Sequence, residues 1–599
     1  MPRPAGVAPD QLRRRCTADE IPWESTAQVG DSAPAKGQPR ALEALAFADA
    51  MPPDGYHVFA TGPPGTGKRA LLEAWLRERA ALRPSPPDLV YVFNFDDRLR
   101  PVAFALPSGS APRFASDVRT LVEEAGRRIT EAFDSEGFRT RHRALHDELE
   151  GRRRAILQRL DERAHAANVA LQVTPGGVVS VPMAGGRPLQ PDEISGMAPE
   201  ARKRYEEAVH DLEHPVDETF ARLHELDREA RERHEALTHD VALFAISRLV
   251  EDLQRRWTQV DDVGPWLTAL RDDLIANLVV FRDAEEHAAQ LPTALGGPPS
   301  AEDLRARYEV NVLVSHDGEA GAPVVFATDA SYWDLFGRAE YETAFGAAVT
   351  DHRHLRAGAV HRASGGWLVV QALDVLVKPF VWSRLKDVLR TRRLRIENIA
   401  AQYLMFPAVA LEPEPIDADL TVVVVSSPEL YELLHAADED VARLFKVRAD
   451  FDAEMPRDEG GVAAYAGLLG ALVRERGLRD FDRGAIAALV EFGSRLAGDQ
   501  DRLSARVREI HDVATEAAHL AAGRGHRLVH AGDVERALRL RRRRSDLIEQ
   551  RVRERTVEGT LRIDVRGTVA GQVNGLAVAA LGDQAFGHPV RITATVAPG

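Results

Sequence analysis

The run YHVFATGPPGTGKRALLEAWL, Tyr56 to Leu76, decides the fold. Its opening, Tyr56 to Gly62, is β-branched and aromatic and reads as a buried strand. Its close runs into a helix over Ala70 to Leu82. Between them Gly62-Pro63-Pro64-Gly65-Thr66-Gly67-Lys68 has the spacing GxxxxGK. The glycines let backbone N–H groups converge on phosphate oxygens. The following helix adds its positive end, and the Lys68 ammonium reaches the terminal phosphates. A glycine-rich structural turn would need neither the strand before it nor the lysine and helix after it. The run predicts an α/β P-loop core that holds ATP or ADP.

One position departs from that pattern. The loop normally ends in Ser or Thr, whose hydroxyl binds Mg2+. Here Arg69 follows the lysine, a cation with no acceptor for a metal. A second motif should supply a strand ending in carboxylates. VYVFNFDD ends in Asp96-Asp97, but it follows the P-loop helix directly and reads as the second strand of the core. WLVVQALDVL stands in the better place and offers Gln371 and Ala372 where acids are needed. Asp374 lies three residues further on and would point elsewhere unless the register slips. A polar sensor on the next strand falls on Ser426 or Ser427. The pattern predicts nucleotide binding with Mg2+ weakened and hydrolysis inefficient, because positioning and charge neutralisation are nearly all of phosphoryl-transfer catalysis.

At 599 residues the chain needs several cores. Its net charge of -15 argues against nucleic acid as the main partner. The basic cluster Arg541 to Arg544 reads as a solvated helix face or end. The single cysteine, Cys16, excludes an internal disulfide and a zinc cluster. No apolar run, the longest lying near Trp367 to Val377, spans a bilayer, and no signal peptide is visible. A cytoplasmic protein is expected.

Residues 1–36, rich in Pro, Ala and Gly, read as a loose lead-in. The α/β core then occupies 37–116 and resumes over 308–450, with VVFA, WLVVQAL and LTVVVVSS as parallel strands buried on both faces. Residues 117–307 read as an inserted helical arm. Val209, Val216, Leu223, Ala230, Leu237 and Phe244 recur every seven residues, a coiled-coil seam. Pro215 should kink or restart that helix. VALQVTPGGVVSVPMAGGRPL, around Gly176-Gly177, suggests a β-hairpin at the arm's tip. Residues 451–555 read as a helical lid. In 556–599, TLRIDV, GQVNGLAVAAL and PVRITATV read as three strands.

These runs resemble the Lon-related AAA+ proteases, in particular the subgroup with a coiled-coil insertion in its ATPase module. The resemblance rests on GQPRALEAL, GYHVFATGPPGTGK, YVFNFDD, LQVTPGGVVSVP, LFGRAEYETAFGAAVTDHRHLRAGAVHRASGGWLVV, LFKVRADFD and EGTLRIDVRGTVAGQVNGLAV with FGHPVRITATVAPG. It implies an AAA+ core with a helical lid and the start of an α+β Lon-type protease domain. It also implies a homo-hexamer acting on unfolded or damaged protein, and a Ser–Lys dyad. No residue of this chain is assigned to the dyad, since no lysine follows Lys446, and the chain is expected to be a fragment or a natural truncation ending at Gly599. The family completes its ATP site with a neighbouring subunit's arginine. Arg448 and Arg338 are candidates, with surface ion pairing as the alternative, and Arg502 could act from the lid. His361 reads as a hydrogen-bonded structural residue, and Trp333 and Phe336 as packing residues. A non-proteolytic AAA+ scaffold or chaperone is the competing reading. A MoxR-like or chelatase-like remodeller is disfavoured by the GQVNGLAV segment.

Overall fold

The computed structural model describes residues 8, 13–30, 37–174, 177–278, 305–344, 347–397, 411–581 and 584–597. Most of the expected lead-in, Gly176 of the hairpin turn, the far end of the expected insertion and Gly599 lie outside them.

Five short strands build the central sheet: β1 (Val58–Thr61), β2 (Val324–Phe326), β3 (Trp367–Gln371), β4 (Thr421–Ser426) and β5 (Val447–Asp450). They lie parallel in the order β5-β1-β4-β3-β2. Side chains alternate across the sheet, so each face gathers its own core. On one face Val58, Ala60, Val369, Val423 and Val425 pack against helices α1 (Pro39–Ala50) and α2 (Lys68–Ala80). On the other, Phe59, Leu368, Val370, Val422 and Val424 meet Phe336, Val360, Leu385 and Phe445. Three layers result, an α/β core of the AAA+ kind. Phe336 is buried as expected, but Trp333 is 49% exposed and does not pack.

The run Leu89–Phe95 does not extend this sheet. Its strand, Asp88–Val92, pairs antiparallel with Val102–Leu106 and Asn311–Val314. A β-branched run announces burial but not its partner. This second sheet packs on helices α3 (Ala111–Asp134), α5 (Pro199–Arg256) and α6 (Val263–Ala276), around Phe114, Trp257, Trp266 and Tyr308. Residues 88–116 therefore share the arm's core. Helix α4 (Glu136–Ala166) runs beside α5. Arg152 meets Glu229 through two bonds of 2.8 and 2.9 Å, and Arg233 meets Glu148 at 2.9 Å. Exposed pairs of this kind each contribute only about 0–1 kcal/mol. Helix α5 runs unbroken through Pro215, so the proline does not restart it. Leu223 of the seven-residue series is buried, whereas Phe244 is 91% exposed and lies off any seam. At the tip, Val169–Thr174 and Gly177–Ala184 form an antiparallel hairpin.

The lid comprises α7 (Glu459–Arg476), α8 (Arg483–Ala497), α9 (Val507–Gly523) and α10 (Ala531–Ser545) around a core of its own. Residues 13–30 are not loose. Cys16, Ile21 and Val29 are buried in this core, and the Thr26 hydroxyl donates to Asp480 at 2.7 Å. At the C-terminal side Gln572–Leu581 and Gln584–Thr593 pair as one hairpin. TLRIDV forms no strand: Asp564 instead accepts from Gln572 and Asn574. Among the described residues no helix is long and apolar enough to cross a membrane.

The carboxylate of Asp88 is fully buried and joins the second sheet to α3. It accepts from the backbone N–H groups of Gly109 (3.0 Å), Ala111 (2.8 Å) and His316 (2.9 Å). Asp88→Ala strands two buried backbone donors and a half-buried third and should cost about 3 kcal/mol or more. The check is urea unfolding followed by tryptophan fluorescence, since Trp257 and Trp266 lie in that core.

His57, at the head of β1, is buried. Its Nδ1 accepts from the Val422 N–H at 3.3 Å, and burial lowers its pKa from 6.5 to about 4. Burial lowers that of His361 to about 3. The unfolded chain takes up these protons below about pH 6.5 while the folded chain resists, so stability is full above that value and falls as pH drops toward 4. For His57 the loss is about 3 kcal/mol. His57→Gln should flatten this acid limb, measured as urea midpoints between pH 7 and pH 4 on the scale of the linkage.

Candidate functional site

The expected site residues meet where β1 leaves the sheet. Gly62 takes φ 153°, and a Cβ there would lie 2.6 Å from the Phe451 carbonyl oxygen, so only glycine lets β1 exit past β5. Gly67, at φ 76°, caps α2 in the left-handed region without a side-chain hydrogen bond. The first N–H groups of α2 therefore face the open loop, the arrangement that suits an anion. Lys68 turns back on its own loop, and Nζ donates to the carbonyls of Gly62 (2.5 Å) and Pro63 (2.9 Å). The Thr66 hydroxyl donates to the same Pro63 oxygen at 3.0 Å. Partial burial lowers the pKa of Lys68.

A cleft of about 950 Å³ lies over this loop. Its floor is the loop from Gly62 to Ala70, without Pro63, together with Gln371 at the end of β3 and Ser426 and Ser427 at the end of β4. Its roof is the lid: Arg476 from α7, and Val507, Arg508, His511 and Asp512 from α9. The Arg508 backbone N–H donates to the Gly65 carbonyl at 3.2 Å, so α9 sits on the loop itself. His511 is kept toward the neutral form by burial and by Arg476, and its buried Nε2 has no partner among the described residues.

The structure sorts the remaining candidates. Arg69 lies over the Phe326 ring at 5.5 Å, a cation–π contact on the β2 side of the cleft. Gln371 lines the cleft, but Ala372 begins a short helix and is buried in the opposite core. Asp374 and the Asp96-Asp97 pair do not line it. Ser426 lines it, with its hydroxyl donating to the Ser427 carbonyl at 3.0 Å; the Ser427 hydroxyl accepts from the Leu430 N–H and caps the helix Pro428–Ala437. Arg448 is held by Glu432 and Asp450, both at 2.7 Å, and stacks over Tyr431. Arg338 pairs with Glu340 at 2.8 Å, and Arg502 lies 4.0 Å from Glu454. None of these three arginines lines the cleft. His361 accepts from the Gly358 N–H at 3.1 Å, deep in the core. The lid residues Arg476, Arg508, His511 and Asp512 were invisible in the sequence.

Comparisons with known proteins agree with this architecture. Residues 320–452 match the LonB-like AAA domain, residues 480–544 the LID domain of the archaeal LonB AAA+ ATPase, and residues 88–121 the Lon-like LonC helical domain. The archaeal Lon protease of Methanothermobacter thermautotrophicus is 25% identical over 306 residues, half of this chain and 46% of that protein. A putative Lon protease homolog of Escherichia coli is 25% identical over 333 residues, 54% of this chain and 52% of that protein. The chain thus spans about half the length of the curated relatives it matches. Among solved structures, NtrX from Brucella abortus in complex with ADP aligns at 15% identity over 51% of this chain and 69% of that one, with a TM-score of 0.24, too low to bear on the fold. On the matched core, lid and helical segments, the chain is similar to the Lon-related AAA+ proteases.

Proposed function

We propose that the chain is a nucleotide-binding AAA+ module of a Lon-like machine, holding ATP or ADP on the loop Gly62 to Arg69. The observation that carries this reading is the cleft itself. A strand–loop–helix phosphate cradle with an uncapped helix end faces a roof of lid side chains. Lys68 now spends its donors on two loop carbonyls and would exchange them for phosphate oxygens. On this reading the floor and the lid are bridged by the ligand, which is how occupancy would reach the rest of the chain.

Efficient hydrolysis is not part of the proposal. Gln371 stands where a carboxylate would orient water, and Arg69 where a hydroxyl would hold Mg2+. Two whole-protein readings follow. In the first, residues 37–450 form the interrupted AAA+ core and 451–555 its lid. The helical arm built on α3 to α6, whose core includes residues 88–116, is inserted in that core, and the hairpin of residues 572–593 belongs to a Lon-type protease domain. The assembly would be a cytoplasmic homo-hexamer that works on unfolded polypeptide as an ATP-dependent serine protease. Arg448 or Arg338 would then serve a neighbour's site, exchanging its present acidic partners. In the second, the chain is a non-proteolytic scaffold or chaperone, which the neutral Gln371 favours.

Calorimetric titration separates binding from its absence. ADP and ATP should bind at one site per chain, and Lys68→Ala should weaken both by about tenfold or more, the worth of a lost charge-assisted bond. Equal affinity in the variant, or no binding in any buffer, rejects the nucleotide reading.

A further inference from the structure

The AAA+ family implies Mg2+ beside the nucleotide, and the residues of this cleft do not fit it. Mg2+ asks for an octahedral shell of oxygens, with one or two carboxylates or a hydroxyl from the protein. Among the described residues the cleft offers three hydroxyls, and none stands directly after the lysine, where a P-loop holds Mg2+: Thr66 and Ser426 donate to backbone carbonyls, while Ser427 caps a helix. Its one carboxylate is Asp512, on the lid and not on the sheet. Gln371 is neutral and Arg69 repels a cation. Among the described residues no three His, Cys, Asp or Glu side chains come together as a metal site.

What the cleft has instead is positive charge. Lys68 and Arg69 rise from the floor, and Arg476 and Arg508 hang from the roof. Their contacts are neutral. Arg69 lies over Phe326, and Arg476 reaches the Thr515 hydroxyl at 3.5 Å. No carboxylate lies within ion-pair distance of Arg69, Arg476 or Arg508 among the described residues. Their lid neighbours differ: Arg541 pairs with Glu509 and Arg544 with Glu516, both at 2.7 Å. Four cations lining one cleft beside a single acid give it a positive potential that suits an anion.

We infer that this cleft takes its nucleotide as the metal-free polyphosphate, with Arg69, Arg476 and Arg508 meeting the charge that Mg2+ neutralises in other P-loop sites. The inference rests on the nucleotide reading of the P-loop. Guanidinium groups stay charged at every working pH and bind phosphate through paired N–H donors. A metal ion on the same oxygens would bring two positive charges up to four others and occupy the acceptors the arginines use. Mg2+ therefore competes with the protein for the polyphosphate instead of bridging the two.

The test is titration of the full chain with ADP and with ATP, once in EDTA and once in excess Mg2+, on the wild type and on the Arg476→Gln/Arg508→Gln double variant. Both arginines are exposed, and thermal unfolding without nucleotide checks that the lid of the variant is intact. The wild type should bind about tenfold or more tightly in EDTA, an effect of the size of one charge-assisted hydrogen bond, and the double variant should lose that preference. Binding that is unchanged or tightened by Mg2+ in the wild type overturns the inference while leaving nucleotide binding intact. So does a double variant that keeps the full EDTA preference. No binding in either buffer overturns the nucleotide reading itself.

Discussion

The passage of β1 out of the sheet is the constraint on which the rest depends. This strand pairs with β4 on one side and β5 on the other, so it is fixed on both edges. Its exit is fixed as well, because Gly62 passes within touching distance of the Phe451 backbone, and the Phe451 N–H donates to Thr61 at 2.7 Å. The Thr61 hydroxyl donates to Asp450, which also receives Arg448. The phosphate loop therefore leaves a rigid seat, and α2 begins at a set place over the ends of β3 and β4. What lines the cleft from below follows from that seat, while the roof is set by the pairing of Glu454–Pro456 with Arg502–Ser504 and by the backbone bond from Arg508 to Gly65.

On the proposed reading, electrostatics then separates this site from a hydrolytic one. Phosphoryl transfer needs charge neutralised where it develops and a water held in line. Here the neutralising charges are arginines at the mouth and roof, and the position at the end of β3 is an amide. Such a site can tie floor to lid through a ligand without consuming it. The lid in turn carries residues 13–30 on its far side and leads into the hairpin of residues 572–593. Occupancy of the cleft is thus placed to bias how the lid sits on the core.

Much of the core was legible because β1, β3 and β4 are buried on both faces, so their runs are continuously apolar and bounded by glycine or serine. The phosphate loop was legible because its chemistry requires fixed spacing. Other features depended on partners that a local pattern does not name. Asp88–Val92 reads as a core strand, yet its antiparallel neighbours draw it into the arm's sheet. Pro215 removes a single backbone donor in a helix of 58 residues, and the helix continues through it. Phe244 keeps the seven-residue spacing but faces away, since the base of α5 packs through Ala242, Ile246 and Val250 instead. TLRIDV has strand-like residues but pairs with no strand among the described residues. Arg508 reaches the site through the docking of α9 on the loop and Arg476 from the end of α7, and no spacing in the sequence encodes that placement of the lid.

The most direct measurement is steady-state phosphate release from ATP with Mg2+, comparing the wild type with an Arg69→Thr/Gln371→Glu variant that restores a hydroxyl after the lysine and a carboxylate at the end of β3. The charge arrangement described here predicts release at background level from the wild type, and Mg2+-dependent release above background from the variant. Robust Mg2+-dependent turnover by the wild type, abolished in Lys68→Ala, would contradict it.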